Sequence, residues 1–553
     1  MVEEQVRRTP EAAAVVFGNE TLSYRALDRR AEALARILTR KEAGGTCLVP
    51  LCLERSLEMV AGILGVLKAG SAYVPLEPGY PDDRLAYLVQ DTGARIILTQ
   101  ARFEERLRRI CGNRVEVLAI DGDWQEKERE AAGQELREGG GKATDPVYVI
   151  YTSGTTGRPK GVVLEHRALC NRIWWMQQAY QLGTDDKVLQ KTPYSFDVSG
   201  WEFFWPLIAG ASLVMARPDG HKDPQYLREL IRSAHISVLH FVPSMLGAFL
   251  LGGDGGGCPS LRKVICSGET LPVALKDLFF EHFPDLELHN LYGPTEAAID
   301  VTAYRCRKED RLVPIGKPIA NTQIYIVDEG LSPVPAGSTG ELCIGGDGLA
   351  RGYLNQPELT AGKFVDNPFQ PGTRIYRTGD LARWLPDGNI ECLGRLDQQI
   401  KIRGNRVELG EIEAVVLEQE GAGSCAVVAA GEGESLKLVA HVVPDARRAA
   451  GVYHQLRMTR QAQWGGMELR ALENGLEIAH LNASETEFLY REIFKNKAYL
   501  RHGIRLQDGD CVLDVGANIG LFSLAVFLAH DRLKIHAFEP IPEIHRALAM
   551  NAG

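Results

Sequence analysis

Hydrophobic residues in the first 400 or so positions follow two alternating patterns. Short continuous apolar runs predict buried strands, as in ARIILTQ, VYVIYTS, SLVMARP, ISVLHFVP and RKVICSGE. Between such runs lie stretches like RALDRRAEALARIL, whose apolar residues repeat at the spacing of one helix face. Because strands that alternate with helices favour layered α/β sheets, we predict an α/β fold for this part of the chain.

The pattern changes twice towards the C-terminus. From about residue 335, STGELCIGGDGLARGY and PDGNIECLGRLDQQIKIRG are short strands with glycine turns, which predict a small β-rich unit. Near residue 445, VVPDARRAAGVYHQL is typical of a linker, and VLDVGANIGLFSLAVFLA further on predicts a strand, a glycine turn and a helix. This last unit has too few elements for a closed core, so we expect the sequence to be a fragment of a longer chain.

Composition narrows the function classes. The 553 residues exceed one ordinary domain, and their net charge of −10 without a long basic run argues against nucleic acid or an anionic membrane as a partner. The 11 cysteines are scattered singly, which is typical of a reducing compartment. The N-terminus has no apolar signal core, and no apolar run is long enough to span a membrane. We therefore expect a cytoplasmic enzyme.

The stretch YTSGTTGRPKG, residues 151–161, has the composition of a phosphate-binding loop. A strand that ends in serine, threonine and glycine offers hydroxyls and backbone N–H groups to an anion. A Walker loop, however, places its lysine at the start of a helix, whereas Pro159 precedes Lys160 here and the strand-like GVVLEH follows. We predict a mobile hydroxyl loop rather than a Walker loop.

Three further motifs accompany this loop: LKAGSAYVPLEPGYPDDRLAYL (67–88), NLYGPTEAAI (290–299) and IYRTGDLARWLPDGNIECLGRLDQQIKIRGNRVELGEIE (375–413). In order and spacing the set resembles the adenylate-forming superfamily, and specifically the amino-acid adenylation domains of nonribosomal peptide synthetases, over residues 1 to about 445. The resemblance implies an adenylation core at 1–396, the start of a small C-terminal domain at 397–445 and a linker at 446–464. It also implies a large N-terminal domain of layered α/β sheets with a small β-rich barrel.

The implied reaction joins an amino acid to ATP, giving aminoacyl-AMP and pyrophosphate. The implied partners are a peptidyl carrier protein domain, whose phosphopantetheine thiol would receive the aminoacyl group, and neighbouring synthetase modules. Catalysis would rest mainly on positioning and on stabilising phosphoryl charge.

The resemblance assigns residues to this chemistry. Lys160, Thr295, Glu296 and Arg395 would be catalytic, with Glu296 as an oxygen ligand of Mg²⁺. Tyr292 would stack on adenine, Asp380 would accept the ribose hydroxyls, and Asp397 would be the hinge between the domains. The implied ATP-binding residues are Thr152, Ser153, Gly154, Thr155, Thr156, Gly157, Lys160, Gly268, Glu269, Asn290, Tyr292, Gly293, Thr295, Asp380 and Arg395.

The amino-acid pocket follows from the same resemblance. Asp197 would pair with the substrate α-ammonium, which favours an α-amino acid over an aryl or fatty acid. A floor of His240, Ser267 and Asp300 resembles the family pocket for L-serine. L-threonine is the alternative, because rejecting one methyl group is worth only about 1–3 kcal/mol. The implied pocket residues are Asp197, Val198, Trp201, His240, Ile265, Ser267, Leu291, Ile299 and Asp300.

Residues 465–553 resemble the start of an FkbM-type methyltransferase that uses S-adenosylmethionine. The resemblance rests on VLDVGANIG and on IHAFEP, whose glutamate closes the next predicted strand. A methyltransferase at this place resembles an interrupted adenylation domain, which predicts O-methylation of carrier-bound serine. The residues that would bind the cofactor are Asp514, Gly516, Asn518, Gly520 and Glu539.

Two other functions remain open from the sequence. A stand-alone acyl- or aryl-CoA ligase would share the core chemistry, but Asp197 is not expected there because such acids carry no ammonium group. A non-catalytic binding module would keep only the fold, and the intact set of Lys160, Glu296, Asp380 and Arg395 argues against it.

Overall fold

The computed structural model describes residues 1–41, 47–133, 141–154, 158–252, 258–396, 399–402, 405–431, 437–445, 448–449, 452, 468–500, 505–507, 509–530 and 533–552. They form two compact units, the first of which comprises 1–154 and 158–408. The second begins at Leu409, so the boundary falls after Glu408. Most of the predicted linker 446–464 lies outside the described residues.

A nine-stranded sheet carries much of the first unit. Its spatial order is β15-β14-β13-β12-β11-β9-β10-β1-β2, and the run from β13 to β1 is parallel throughout. The strands are β1 Ala13–Phe17, β2 Glu20–Ser23, β9 Lys187–Gln190, β10 Ser212–Met215, β11 Val238–Phe241, β12 Lys263–Cys266, β13 Glu287–Tyr292, β14 Thr302–Arg305 and β15 Lys317–Pro318. Strands β10 and β11 are buried at every position, as expected for parallel strands covered on both faces.

A seven-stranded sheet forms the second layer of this unit, in the order β18-β8-β7-β4-β3-β5-β6. Its strands are β3 Leu48–Cys52, β4 Ala72–Leu76, β5 Ile96–Thr99, β6 Glu116–Ala119, β7 Pro146–Thr152, β8 Lys160–Glu165 and β18 Gly352–Tyr353. Strand β7 is parallel to β4 and antiparallel to β8. The predicted α/β pattern is therefore confirmed for both sheets.

The β-rich part of the unit is an antiparallel five-stranded sheet in which β21 joins the path β16-β17-β20-β19 through β20. It begins at Thr322, earlier than the sequence pattern indicated. Its strands are β16 Thr322–Val327, β17 Gly340–Gly346, β19 Phe364–Asp366, β20 Arg374–Trp384 and β21 Ile390–Arg395, and a separate hairpin joins β22 Ile400–Ile402 to β23 Asn405–Val407.

Helices cover the sheets of the first unit. Helix α2 shows why they form: Ser23 caps its start by accepting from the Ala26 N–H at 3.2 Å, and its buried residues repeat at helical spacing. The helices are α1 Val2–Arg8, α2 Tyr24–Arg40, α3 Leu57–Lys68, α4 Asp82–Thr92, α5 Ala101–Cys111, α6 Trp124–Ala131, α7 His166–Tyr180, α8 Ser199–Ala209, α9 Pro224–Ala234, α10 Pro243–Leu251, α11 Val273–His282 and α12 Pro357–Lys363.

The second unit contains helices α13 Leu409–Leu417, α14 Ala483–Tyr490, α15 Leu521–Ala529 and α16 Pro542–Ala552, with strands β24 Ala422–Ala430, β25 Lys437–Pro444, β26 Leu469–Ala471, β27 Glu477–Ala479, β28 Cys511–Val515 and β29 Lys534–Phe538. Strands β28 and β29 pair in parallel with α15 between them, which makes a βαβ crossover. Across the described ranges, no helix combines the length and apolar character that crossing a membrane requires.

Candidate functional site

The predicted site residues of the first unit gather where strands end. His240 lies in β11, Ser267 directly follows β12, and Tyr292 is the last residue of β13, all on neighbouring parallel strands. Thr152 ends β7 of the other sheet. The carboxyl ends of parallel strands are where open α/β sheets bind ligands.

Asp197 is a buried carboxylate with an incomplete set of partners. The residue precedes α8 and is 9% exposed, and its Oδ2 atom has no hydrogen-bond donor among the described residues. Burial raises the pKa of Asp197 to about 7, with further contributions from the charges of Asp300 and Glu296 and an opposing hydrogen bond from the Thr295 side chain. A cationic ligand would reverse this effect, because an opposite charge favours the ionised carboxylate.

His240 and Ser267 form a buried polar pair. The His240 Nε2 atom lies 3.0 Å from the Ser267 hydroxyl oxygen, and the His240 ring meets the edge of the Trp201 ring. Burial, and then the nearby Lys191 cation, lower the pKa of His240 well below its ordinary value, so the ring is neutral at pH 7. His240 Nδ1 and Trp201 Nε1 have no hydrogen-bond partner within the described ranges.

Asp300 is held by Arg172, which lies outside the sequence motifs. Its Oδ2 atom lies 2.7 Å from the Arg172 Nη2 atom, and both side chains are 1% exposed. The pair joins helix α7 to the turn after Glu296. Asp300 therefore reaches the site with one oxygen already engaged by a guanidinium.

The turn that carries Asp300 is strained. Ala298 and Ile299 have φ angles of 56° and 75°, in the left-handed region that a β-branched residue rarely adopts. Gly293 passes close beneath this turn: a Cβ atom there would lie 2.5 Å from the Asp300 Cα and would overlap the Ile299 carbonyl oxygen. Only glycine fits at that position without moving the turn.

Glu296, Lys160 and Tyr353 form a second buried cluster. The Tyr353 hydroxyl donates to Glu296 Oε1 at 2.7 Å, while the Lys160 ammonium lies 3.5 Å from the same oxygen and 4.7 Å from the centre of the Tyr353 ring. Lys160 and Glu296 are 4% and 0% exposed. The described part of the chain contains no cluster of three or more His, Cys, Asp or Glu side chains that could hold a metal.

Tyr292, Asp380 and Arg395 meet at the edge of the five-stranded sheet. Arg395 Nη1 donates to Asp380 Oδ1 at 2.6 Å, and the Tyr292 hydroxyl donates to Asp380 Oδ2. Burial, and then the Asp380 charge, raise the pKa of Tyr292 well above its ordinary value, which keeps the hydroxyl protonated. The carboxylate assigned to ribose is thus fixed in place by two donors.

The predicted phosphate loop connects two antiparallel strands. Thr152 of β7 pairs with Lys160 of β8, so a strand, and not a helix, follows the lysine. This confirms the distinction from a Walker loop. The Thr152 hydroxyl has no partner among the described residues. Thr155, Thr156, Gly157 and Asp397, the predicted hinge residue, lie outside the described residues.

The remaining predicted residues line or support these clusters. Ile265, Leu291 and Ile299 are fully buried, and Val198 is partly buried. Ser153, Gly154 and Gly268 lie at strand ends beside the site. Glu269 accepts from the Ser244 N–H at 3.0 Å, and the Asn290 side chain donates to the Pro314 carbonyl at 2.9 Å. Both Glu269 and Asn290 therefore fix loops around the strand ends.

Sequence reasoning missed Arg172 and Tyr353. Arg172 lies on the buried stripe of α7, between Leu169 and Met176, and an arginine on an apolar face needs an acidic partner. The helical spacing of Arg172 with Leu169 and Met176 could therefore have indicated a buried ion pair. Tyr353 lies in the short strand β18, where no local pattern marks its contact with Glu296.

In the second unit, the residues assigned to S-adenosylmethionine surround the turn after β28. Gly516, Asn518 and Gly520 have φ angles of 75°, 50° and 82°. The Glu539 carboxylate accepts from the Asn518 N–H at 3.0 Å, and Asp514 accepts from the Ser523 hydroxyl at 2.7 Å. The turn and both carboxylates thus share the carboxyl end of the parallel pair.

Comparisons with known proteins show which family the chain belongs to. The family described as AMP-binding enzyme matches residues 2–354. Tyrocidine synthase 3 of Brevibacillus parabrevis is 47% identical over 448 residues, which cover 80% of this chain and 7% of that protein. Zwittermicin A synthase ZmaJ of Bacillus cereus is 47% identical over 459 residues, which cover 80% of this chain and 84% of that protein.

The solved structures include a similar synthetase. The nonribosomal peptide synthetase FmoA3, in its α-methyl-L-serine-AMP bound form, aligns with a TM-score of 0.66 at 33% identity. The alignment covers 75% of this chain and 46% of that one. The chain therefore spans less than half of FmoA3 and a small part of tyrocidine synthase 3.

Proposed function

Because the chain belongs to the AMP-binding enzymes and has the α/β fold of nonribosomal peptide synthetase adenylation domains, we propose that it activates an amino acid with ATP. The products would be aminoacyl-AMP and pyrophosphate. The observation that carries this proposal is the Oδ2 atom of Asp197, which is buried without a donor among the described residues. An amino-acid α-ammonium supplies the missing donor and the missing charge.

The charges around Asp197 support an ammonium ligand. Glu296 and Asp300 are the carboxylates whose charges act on Asp197, and each already has a cation beside it: Lys160 is 3.5 Å from Glu296, and Arg172 is 2.7 Å from Asp300. Asp197 receives a hydroxyl hydrogen bond but has no ion-pair partner among the described residues. A ligand cation would give Asp197 its ion-pair partner, and fatty or aryl acids carry no such cation.

Serine is the proposed substrate, with threonine as the alternative. The neutral His240 ring and the Ser267 hydroxyl are 3.0 Å apart and buried, so a substrate hydroxyl can exchange hydrogen bonds with them. A large apolar side chain would leave such groups unpaired, at a cost of about 1–3 kcal/mol for each. The binding of α-methyl-L-serine-AMP to FmoA3 is consistent with this pocket chemistry.

The residues present fit ATP and Mg²⁺. The unpartnered Thr152 hydroxyl at the start of the phosphate loop can donate to a phosphate oxygen, and Lys160 adds positive charge at the other end. Asp380, oriented by Tyr292 and Arg395, would take the ribose hydroxyls. Mg²⁺ is commonly held by about one or two carboxylates together with phosphates, so Glu296, whose Oε1 atom already accepts from Tyr353, would be its protein ligand; when bound, the ion would neutralise phosphate charge.

In the activation step, the site acts mainly by placement. Asp197 would hold the α-ammonium, which orients the substrate carboxylate for attack on the α-phosphorus. The Thr295 hydroxyl, already bonded to Asp197, would also contact the phosphate. The aminoacyl group would then pass to the phosphopantetheine thiol of a carrier domain, within a larger synthetase.

Amino-acid-dependent exchange of radiolabelled pyrophosphate into ATP tests the proposal. We expect serine to give the highest rate and threonine a lower one. Glycerate, which has a hydroxyl in place of the serine ammonium, should give none. Equal exchange with glycerate and serine would refute the role of Asp197 and favour an acyl ligase, while exchange driven best by alanine or phenylalanine would refute the serine pocket.

For the second unit we propose the start of a methyltransferase that binds S-adenosylmethionine and methylates the serine oxygen. Its support is the βαβ crossover with the left-handed turn at Gly516 and the Glu539 carboxylate beside it. A carboxylate at this place can accept ribose hydroxyls of a nucleoside cofactor.

Calorimetric titration with S-adenosylhomocysteine tests cofactor binding to the second unit. We expect binding to the chain as it stands, loss of binding in Glu539→Ala, and unchanged binding in the control Glu543→Ala, an acidic residue in the first turn of α16. Binding that is equal in both variants would contradict the assignment.

A further inference from the structure

Arg172 is a buried cation outside the motifs of the reaction. It is 0% exposed, its guanidinium lies 5.0 Å from the Trp175 ring centre, and its ion pair with Asp300 measures 2.7 Å. Its Nε and Nη1 atoms have no acceptor among the described residues. The bond to Asp300 is thus the ion pair that justifies an arginine at this depth.

The backbone turn before Asp300 positions its carboxylate for this pair. The left-handed residues Ala298 and Ile299 form the turn before it, and the absent side chain of Gly293 leaves room for that turn. Its charge also reaches Asp197, whose pKa it helps to raise. The two carboxylates are therefore near enough for their charges to interact, and among the described residues only Asp300 has a protein cation beside it.

We propose that Arg172 is a specificity-determining positioning residue: by engaging Asp300, it leaves Asp197 as the carboxylate that receives an ammonium and excludes amino acids with a second ammonium on a short side chain. The inference rests on the proposed amino-acid activation. In this role Arg172 acts through Asp300 and not directly on the substrate.

Amino acids with a second ammonium would be excluded because the described part of the site has no second carboxylate without a protein cation to receive it. Serine brings one ammonium, which Asp197 accepts, and a neutral hydroxyl for His240 and Ser267. 2,3-Diaminopropionate has nearly the shape of serine, and at mildly acidic pH, where both of its neighbouring amines are protonated, it carries a second ammonium in place of the hydroxyl. With Arg172 beside Asp300, that carboxylate is already paired, so the second cation gains no anion there and is repelled by the Arg172 charge. Without Arg172, Asp300 becomes a partner for it.

The test is pyrophosphate exchange at mildly acidic pH with serine and 2,3-diaminopropionate in the wild type, Arg172→Met, Arg172→Lys and the double variant Arg172→Met/Asp300→Asn. For Arg172→Met we expect the ratio of kcat/KM for diaminopropionate to that for serine to rise by about tenfold or more, mainly through KM, since ground-state binding is what changes. Arg172→Lys keeps a cation beside Asp300 and should retain the wild-type preference. The double variant removes both charges and should lose the gain.

Arg167→Met is the matched control, because Arg167 is an exposed arginine on the same helix with a partner, Asp347, at 3.6 Å on the surface. An unchanged ratio in Arg172→Met, or a gain that persists in the double variant, would overturn the inference. If Arg172→Met does not fold, Arg172→Lys decides, since acceptance of diaminopropionate by that variant contradicts the role of charge. Absence of amino-acid-dependent exchange in the wild type would instead refute the proposed function.

Discussion

Replacing Asp197 with asparagine removes one buried charge and almost no volume. A hydrogen bond to a charged group is worth about 1.5–3 kcal/mol, so the serine KM should rise by about 10- to 150-fold. The affinity for ATP should not change, because the residues proposed for the nucleotide, such as Thr152 and Asp380, keep their environment. Serine-dependent pyrophosphate exchange measures the first quantity, and calorimetric titration with ATP measures the second.

The same substitution should stabilise the ligand-free protein against unfolding at high pH. Burial raises the pKa of Asp197 to about 7, so between about pH 4 and pH 7 the folded chain keeps a proton that the unfolded chain releases. Stability attributable to this carboxyl is therefore lost as pH rises through that window. At about 1.4 kcal/mol per pKa unit, the loss of unfolding free energy reaches about 4 kcal/mol at pH values above this window.

The substituted asparagine side chain does not ionise, so the Asp197→Asn protein should gain unfolding free energy over the wild type near pH 8 and little near pH 4. Urea denaturation at both pH values measures this, with Asp83→Asn, an exposed change in the first turn of α4, as the control. In the wild type, kcat/KM for serine should rise with pH through about 7 as Asp197 ionises. A serine KM within about twofold of wild type in Asp197→Asn would refute the reasoning, since the lost charge would then carry less than about 0.5 kcal/mol.

Three further changes test the rest of the site. Gly293→Ala puts a Cβ atom against Ile299, so the turn must move; we expect a loss of about 1–3 kcal/mol in urea unfolding and a matching fall in serine exchange, and a wild-type profile would contradict the steric argument. Tyr353→Phe removes the 2.7 Å hydrogen bond to Glu296 and should lower the unfolding free energy by about 1.5–3 kcal/mol; equal urea midpoints would count against it. Asp380→Asn should raise the KM for ATP and leave the KM for serine unchanged, whereas parallel changes in both would contradict a ribose role.

The strands were predictable because a strand that is buried on both faces appears in the sequence as a continuous run of apolar residues. Strand β11 is apolar except for His240, and β7 begins with five buried residues, so the continuous runs were sufficient signals. The five-stranded sheet began before its predicted start because TQIYIV alternates buried and less buried residues and lacks the glycine turns used as the marker.

The partners of the site residues were less accessible to sequence reasoning. Motifs indicated Glu296 and Asp300, but Arg172 is 128 positions from Asp300 and Tyr353 is 57 from Glu296. Local periodicity carries no information about contacts at such separations, and only the fold brings these side chains together. The raised pKa of Asp197 was equally inaccessible to local sequence patterns, since it depends on burial and on residues about 100 positions away, such as Glu296 and Asp300.

The hairpin that joins β7 to β8 has a consequence for how the phosphate loop tolerates change. Because Thr152 and Lys160 are paired across an antiparallel ladder, the sheet closes the loop whatever its length. Doubling a flexible loop adds only about 0.6 kcal/mol of closure entropy, so insertions between Ser153 and Pro159 should leave folding nearly intact. A loop that opens a helix lacks this freedom, because its length sets the register of the helix. We therefore expect the segment that we propose for phosphate binding to tolerate changes in length without loss of the fold.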